Sequence, residues 1–535
     1  LLRTFGSGAM TNSISDISQA QCILAIGTNT SANHPVIATR VRRAVMDGAK
    51  LIVANPLRIP MVRYAQLFLQ HRPGTDLALI MGIARVIVDQ KLQDESFIRE
   101  RCENFEAFKE SLAPFNLEYV EEVTGVPAEL IVEAACLYAG SKPSAILYAM
   151  GITQHTHGTD NVMAVGNLAM LTGNIGKPGS GVNPLRGQNN VQGACDMGGL
   201  PNVYSGYQVV TDKTIREKFE AAWSTKLPDT VGLTLPDIFD SIHKGKIKAV
   251  YLVGENPVLS EPDQEHARKA LEKLEFLVCQ DIFPTETTRA AHVVLPAAAA
   301  MERDGTFTNT ERRVQWLTQV VPPAGESKPD WWIASQIAKR MGGSGFDYAS
   351  AADVMREINR LTPSYGGITP ERLATESPQW PCPDAKHPGT AILHTERFAR
   401  GKGNFVPISY QGPAELPDEE FPLTLTTARS LYHYHTGTMT RKVSGLNQLK
   451  DRELLEMHPA DAEELGVQDG DTVRISSRRG SVTAAVHTSA QSQSGVVAMD
   501  FHFAESPVNA LTNPANDPIS RIPEYKVCAV RVEKA

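Results

Sequence analysis

The residue types most able to do chemistry here are gathered in Asn183-Pro-Leu-Arg-Gly-Gln-Asn-Asn-Val-Gln-Gly-Ala-Cys-Asp-Met-Gly198, with three glycines, three asparagines, two glutamines, one arginine and one aspartate. Glycine lets backbone approach a ligand closely, and amides both donate and accept. A guanidinium, Arg186, in such largely neutral company suits the gripping of a small anion through its planar fork. The same composition would serve a polar surface loop. The apolar, small-residue stretch 164–173 shortly before it favours a buried, ligand-facing loop, and the composition argues against a helix or strand within it.

Two further polar loops follow apolar runs, Gly27-Thr-Asn-Thr-Ser-Ala-Asn-His34 and Gly254-Glu-Asn-Pro257. Neither is Gly-x-Gly-x-x-Gly, so the usual nicotinamide fingerprint is absent, but a loop at a helix N-terminus can still cradle a pyrophosphate. Singly each is ordinary turn chemistry; together they predict a large dinucleotide ligand or a pair of them. Asp76 and Asp281 both lie downstream of a second strand, where an ionised carboxylate could accept from adjacent donors on a base such as guanine. Asp76 serves equally as a favourable charge in a helix's first turn, and Asp281 as a strand-end turn residue. Near the end, Arg429, His433 and His435 sit close together. No third metal ligand is nearby, so hydrogen bonding to a polar ligand is the reading. Phe501, Asn509 and Lys526 follow and are unremarkable alone.

The elements that must position these residues alternate. Gln21–Gly27 is an apolar run closed by glycine, the pattern of a buried parallel strand. The spacing predicts a helix over 34–47, a strand over 50–55, a second helix over 75–90, a third opened by Pro127, and a strand over 144–151. The pattern recurs in strands 248–254 and 274–281 around a helical segment at 263–273. Such alternation predicts doubly wound parallel sheets with ligands at the strands' carboxyl ends. Prolines and glycines accumulate from Gly366 to Pro417, as in a connector. Beyond Phe421 a short helix at 459–465 precedes strands 472–477 and 481–487, joined through Arg478-Arg-Gly480 as a hairpin. That tail predicts a compact β-rich domain, a barrel.

At 535 residues, about two to four domains are expected. A hydrophobic share of 42% with 21% charged residues is that of a globular protein, and a net charge of −8 without a basic run argues against general nucleic-acid binding. No apolar run approaches the length of about 20 residues that spans a bilayer. The first ten residues lack both a signal-peptide core and an initiator methionine, so the chain is read as truncated at its front. The seven cysteines are scattered without a Cys-x-x-Cys pair, which argues against a local zinc or iron–sulfur motif and fits a reducing compartment.

With these motifs assembled, the chain closely resembles the catalytic subunit of molybdenum- or tungsten-dependent formate dehydrogenases, within the molybdopterin oxidoreductases. The carrying segments are Gly6–Ser13, Gly27–Pro35, Arg72–Asp76, Gly151–His155, Leu171–Gly176, Asn183–Gly198, Gly254–Pro257 and Thr427–Thr440. The resemblance spans essentially the whole chain, and the Asn183–Gly198 loop is specific to formate enzymes and near relatives. It implies two doubly wound Rossmann-like α/β domains, 1–188 and 189–410, the second incomplete at its front, followed by a C-terminal double-psi type β-barrel, 411–535. The implied activity is oxidation of formate to carbon dioxide, or the reverse, at a molybdenum or tungsten bis(molybdopterin guanine dinucleotide) centre that passes electrons to iron–sulfur clusters. Two other readings compete. The loop with Arg186 argues against another molybdopterin oxidoreductase such as a nitrate reductase. Asp76, Asp281, Arg186 and the tail motif argue against a non-catalytic scaffold like the large iron–sulfur subunit of respiratory complex I.

Carried over position by position, the resemblance implies cofactor contacts from Gly27, Thr28, Asn29, Ala54, Asn55, Gly74, Thr75 and Asp76, then Met150 and Gln154. The second domain adds Asn256, Gln280, Asp281, Arg303 and Asp330, and the barrel Arg429, His433, His435, Phe501, Asn509 and Lys526. Asn55 departs from the family, whose members usually carry aspartate there, and puts that one contact in question. Arg186 matches the arginine that grips the substrate carboxylate beside the metal. The family places a cluster-binding cysteine motif, and the cysteine or selenocysteine that ligates the metal, ahead of the point where this sequence begins. No metal ligand is therefore expected within it, the 4Fe-4S cluster is expected only in the absent part, and the 535-residue chain alone is expected to be inactive toward formate. A selenocysteine codon read as a stop, or a partial gene, would each account for this. The implied partners are electron-transfer subunits with iron–sulfur, flavin or hydrogenase centres, with no nucleic acid and no membrane span. The segment Asp304–Arg313 is most similar to cytoplasmic members, which predicts that location.

Overall fold

The computed structural model describes residues 1–535, which divide into two compact units: 1–185 with 259–264 and 392–535, and 186–258 with 265–391. In the first unit, β1 (Cys22–Ile26), β2 (Lys50–Ala54), β3 (Leu67–Leu69), β4 (Ser144–Tyr148) and β5 (Gly181–Pro184) form a parallel sheet in the order β3-β2-β1-β4-β5. β1 is apolar throughout because both faces of a central parallel strand are covered. Side chains alternate across the sheet, so Leu24, Ile26 and Ile52 enter one core while Ile23, Ala25, Leu51 and Val53 enter the other. Helix α1 (Pro35–Met46) covers the latter face; α2 (Asp76–Asp89), α3 (Ala128–Gly140) and α4 (Gly158–Leu171) fill the former. α2 is buried on nearly every side, as its almost unbroken apolar sequence requires.

The Asn183–Gly198 segment differs from the sequence-based expectation of irregular structure. Its first residues complete β5 against β4, and Val191–Asp196 forms a short helix, α5. A six-residue helix cannot persist on propensity, so tertiary anchors must hold it.

The second unit contains a parallel sheet of β6 (Ala249–Val253), β7 (Phe276–Asp281) and β8 (Val293–Pro296), ordered β8-β7-β6. Val250, Leu252, Leu277 and Cys279 on one face pack against α6 (Leu235–His243) and α7 (Gln264–Glu272). Tyr251, Val253 and Phe276, which alternate with them, are exposed. An antiparallel ribbon, β9 (Gly305–Thr308) with β10 (Val314–Leu317), and α8 (Asp330–Arg340) follow.

The stretch 366–417 has little regular structure but is firmly packed. Trp380 and Cys382 are buried in the second unit. In the first, Phe398 stacks on Phe5 at 5.4 Å and Phe405 on Phe108 at 5.1 Å. Burial of those rings places 392–410 with the first unit rather than with the second, to which the sequence reading assigned it. The tail, also in the first unit, is a closed six-stranded barrel. Its strands are β11 (Leu423–Ala428), β12 (Leu454–Met457), β13 (Thr472–Ser476), β14 (Ser481–Thr488), β15 (Val496–Asp500) and β16 (Cys528–Lys534), ordered β11-β15-β12-β14-β13-β16. β13 and β14 form the expected hairpin, pairing out to Ser476 and Ser481, whereas β11–β15 and β12–β14 are parallel. Inward residues including Leu425, Leu455, Val473, Val497 and Val530 fill the interior.

Candidate functional site

The residues expected to contact a cofactor in the first unit gather where its parallel strands end. β1 runs into Gly27, whose φ of 56° lies in the left-handed region. Gly151 N donates to the Gly27 carbonyl at 3.0 Å. An added Cβ on Gly27 would stand 2.8 Å from the Gly151 carbonyl carbon, and one on Gly151 2.5 Å from the Gly27 oxygen. Only glycine permits this crossing of main chains. Thr28 is buried with an unpartnered hydroxyl, and Asn29 accepts from Ala32 N at 3.3 Å to open a short helical turn. Ala54 ends β2. Asn55 Oδ1 accepts from Leu57 N at 3.0 Å, a turn role that an aspartate would also fill. Gly74 approaches Pro413 closely, and the Thr75 hydroxyl donates to the Arg72 carbonyl at 2.7 Å. Met150 is exposed, and Gln154 N donates to its carbonyl at 3.0 Å.

Asp76 is more enclosed than a guanine-facing carboxylate would be. It is buried; Oδ1 accepts from His71 Nε2 at 2.9 Å, and Oδ2 lies 3.6 Å from His155 Nε2, which donates to the Gly151 carbonyl at 2.8 Å. Burial alone would raise its pKa, but His71, then His155 and His157, hold it below the ordinary carboxylate value. The sequence reading missed His71 and His155 as members of this array. Their only signal was position, His71 next to Arg72–Asp76 and His155 ending Gly151–His155. The network links the Gly74–Asp76 loop to the Gly27–Gly151 crossing, so this set of predicted residues is brought together.

In the second unit Gln280, at the end of β7, donates to Asp330 Oδ1 at 2.7 Å and accepts from the Tyr251 hydroxyl. Arg303 lies 3.3 Å from Asp330 Oδ2 and keeps a buried, unpartnered Nε. These three form a cluster. Asn256 instead staples its own loop, donating to Glu286 at 2.9 Å and accepting from the Thr287 hydroxyl at 2.7 Å. Asp281 takes the turn role, with Oδ1 accepting from Ile282 N at 2.7 Å and Phe283 N at 3.4 Å. Burial raises its pKa against those two bonds. Arg186 is half-buried; its amide donates to Thr310 Oγ1 at 3.0 Å and its guanidinium to the Cys195 sulfur at 3.3 Å.

In the barrel, Arg429 stacks over Phe501 at 4.7 Å and His435 meets the same ring edge-on at 5.2 Å. Burial and then the Arg429 charge push His435 down to about 4, so it is neutral. Lys526 donates to the Thr427 carbonyl at 2.7 Å, and burial with the Arg429 charge lowers its pKa to about 7. Arg429 and Lys526 are part-buried positive groups, and the Arg429 charge opposes the charging of Lys526, which suits the pair to an anion. His433 is tied elsewhere, with Nε2 donating to the Lys450 carbonyl at 2.7 Å. Asn509 donates to the Leu259 and Ser260 carbonyls at 3.0 and 3.1 Å and leaves a buried Oδ1 unpartnered.

The Lys526 shift has a signed consequence. Its folded value of about 7 lies below the ordinary 10.5, so between these values the unfolded chain binds more protons and stability rises with pH. The destabilisation is fully present below pH 7. The protein is therefore expected to gain stability relative to Lys526→Met as pH rises from 7 toward 10. Denaturant unfolding at pH 7 and pH 9 checks this, and a constant difference between the two proteins contradicts it.

Comparison with known proteins gives the class: the chain belongs to the molybdopterin oxidoreductase family. Residues 4–340 match the molybdopterin oxidoreductase model and 423–529 the molydopterin dinucleotide binding domain. Over 533 residues it is 50% identical to the F420-dependent formate dehydrogenase subunit alpha of Methanocaldococcus jannaschii, covering 99% of this chain and 79% of that protein. It is 37% identical to formate dehydrogenase H of Escherichia coli, covering 100% of this chain and 75% of that one. Among solved structures, acetylene hydratase from Pelobacter acetylenicus shares the fold, with a TM-score of 0.78 at 22% identity, covering 100% of this chain and 80% of that chain. The donor set fits a molybdopterin dinucleotide. In the first unit the Thr28 hydroxyl and Asn509 Oδ1 are orphaned and Arg429 offers positive charge to phosphate; in the second unit Arg303 Nε is orphaned.

Proposed function

We propose that this chain is the catalytic part of a formate dehydrogenase, oxidising formate to carbon dioxide, or running the reverse, with a bis(molybdopterin guanine dinucleotide) cofactor of molybdenum or tungsten. The observation that carries the reading is Arg186. Its guanidinium bonds to a thiol sulfur rather than to a carboxylate, in a chain whose relatives are named formate dehydrogenases. When bound, the cofactor supplies the two-electron acceptor. Arg186 takes the formate carboxylate in its fork and orients the C–H bond, and its half-buried position limits competing water. Gly27–Asn29, Gly74, Thr75, Met150 and Gln154 hold one dinucleotide with the barrel's Arg429, His435, Phe501 and Lys526, and Asp76 holds the loop through His71 and His155. Gln280, Asp281, Arg303 and Asp330 hold the other. Each formate gives carbon dioxide, one proton and two electrons, and the electrons pass to iron–sulfur partner subunits. F420 is the first final acceptor to assay, because three relatives carry it in their names.

The test is formate-dependent dye reduction by the full-length enzyme, with metal analysis of the same preparation. Turnover with stoichiometric molybdenum or tungsten is expected. A preparation holding neither metal, or a loaded one inert toward formate, would sink the reading.

A further inference from the structure

The short helix beside Arg186 is held by a buried carboxylate that none of the cofactor contacts uses. Asp196, the last residue of α5, has no exposed surface, and its side chain accepts four hydrogen bonds. Oδ1 accepts from Gln192 Nε2 at 2.7 Å and the Tyr207 hydroxyl at 2.9 Å; Oδ2 accepts from the Tyr365 hydroxyl at 2.5 Å and Trp380 Nε1 at 2.7 Å. A carboxylate has about four lone-pair sites, so this one is saturated. Two of its donors, Tyr365 and Trp380, come from segments distant in sequence, which fixes the end of α5 to the surrounding unit independently of helix propensity. The neighbouring residue, Cys195, accepts from the Arg186 guanidinium at 3.3 Å. The other end of the loop is pinned as well: Arg186 N donates to Thr310 Oγ1 at 3.0 Å, and Asn190 Oδ1 accepts from Thr308 N at 2.9 Å.

We propose that Asp196 is a positioning residue for Arg186: by anchoring the end of α5 it sets where Cys195 holds the guanidinium, and so how the fork meets a carboxylate substrate. The inference rests on the formate reading above. Asparagine at 196 keeps the shape but loses the charge that four donors share, so each bond weakens and the hold on the end of α5 loosens. A guanidinium displaced by a fraction of an ångström binds its anion less well without altering the cofactor.

In the full-length, cofactor-loaded enzyme, Asp196→Asn is expected to raise KM for formate about tenfold or more, with kcat and cofactor content close to the parent's. In an Arg186→Lys background the same change adds little further KM, because the group it positions is already gone. A readout independent of turnover is alkylation of Cys195 by iodoacetamide, followed by peptide mass, which should quicken in Asp196→Asn as the Arg186 contact loosens. If Asp196→Asn does not fold, Trp380→Phe removes a single donor and is measured in the same two ways. An unchanged KM, an unchanged Cys195 alkylation rate, or a KM effect of equal size in the Arg186→Lys background overturns the proposal. A parent enzyme that does not oxidise formate overturns the formate reading instead, and the alkylation rates still decide whether Asp196 governs the Arg186–Cys195 pair.

Discussion

Replacing Arg186 with glutamine in the full-length, cofactor-loaded enzyme is expected to lower kcat/KM for formate by about 10²- to 10³-fold. The physical reason is charge and shape together. A carboxylate leaving water needs a fixed countercharge, and a guanidinium offers two parallel N–H donors at a spacing that matches its two oxygens. Glutamine supplies one amide and no charge. Lysine restores the charge as a single point and is expected to recover only part of the loss. Because Arg186 already donates to the Cys195 sulfur, its resting direction is set before substrate arrives, which reduces the ordering required at binding. Steady-state kinetics on the Gln and Lys variants, with cofactor content matched, check this. A Gln variant with parental kcat/KM would remove Arg186 from the reaction.

Arg312→Met is expected to destabilise the second unit by about 4 kcal/mol. Arg312 has no exposed surface; it donates to the carbonyls of Trp380, of Thr390 at 2.7 Å and of Ala391 at 3.0 Å, and stacks over the Trp380 ring at 5.6 Å. Burial lowers its pKa to about 10, against the raising effects of Glu311 and Asp196, so the charge persists at neutral pH. Methionine fills much of the volume but strands the buried Trp380 carbonyl, at about 1–3 kcal/mol, and removes the donor from the part-buried carbonyls of Thr390 and Ala391. Hydrogen exchange over 378–391 in the full-length protein should speed up strongly in Arg312→Met and less in Arg312→Lys. Parental protection in the Met variant would show that water or repacking serves those carbonyls equally well.

Much of the fold was legible because periodicity is a local signal. The helix predicted over 34–47 runs Pro35–Met46, that over 75–90 runs Asp76–Asp89, and the apolar runs at 21–27 and 50–55 contain β1 and β2. The hairpin at 478–480 was legible from its turn residues. α5 was not, because much of what makes it a helix lies in Tyr365 and Trp380, which no window around 191–196 contains. Asp76 shows the same limit. Its place in the first turn of α2 could be read from spacing, whereas its enclosure by His71 and His155 depends on two loops meeting in space. Asn256 and His433 were expected from the resemblance to contact cofactor, and in this structure their polar atoms hold their own loops. A motif records which residue stands at a place and not which way it is already committed.

The crossing of Gly27 and Gly151 carries a consequence for how the protein can be interrogated. There is no side chain at either position to remove, so every substitution adds atoms to a space already filled by main chain. A truncation scan is blind to such a joint, and any replacement reports collision instead of a lost contribution. The contact works as a rivet between two turns: a displacement of one is passed to the other through a backbone hydrogen bond. Its strength is accessible only to chemistry on the backbone, such as an ester in place of the Gly151 amide, which deletes the donor to the Gly27 carbonyl and leaves every side chain in place.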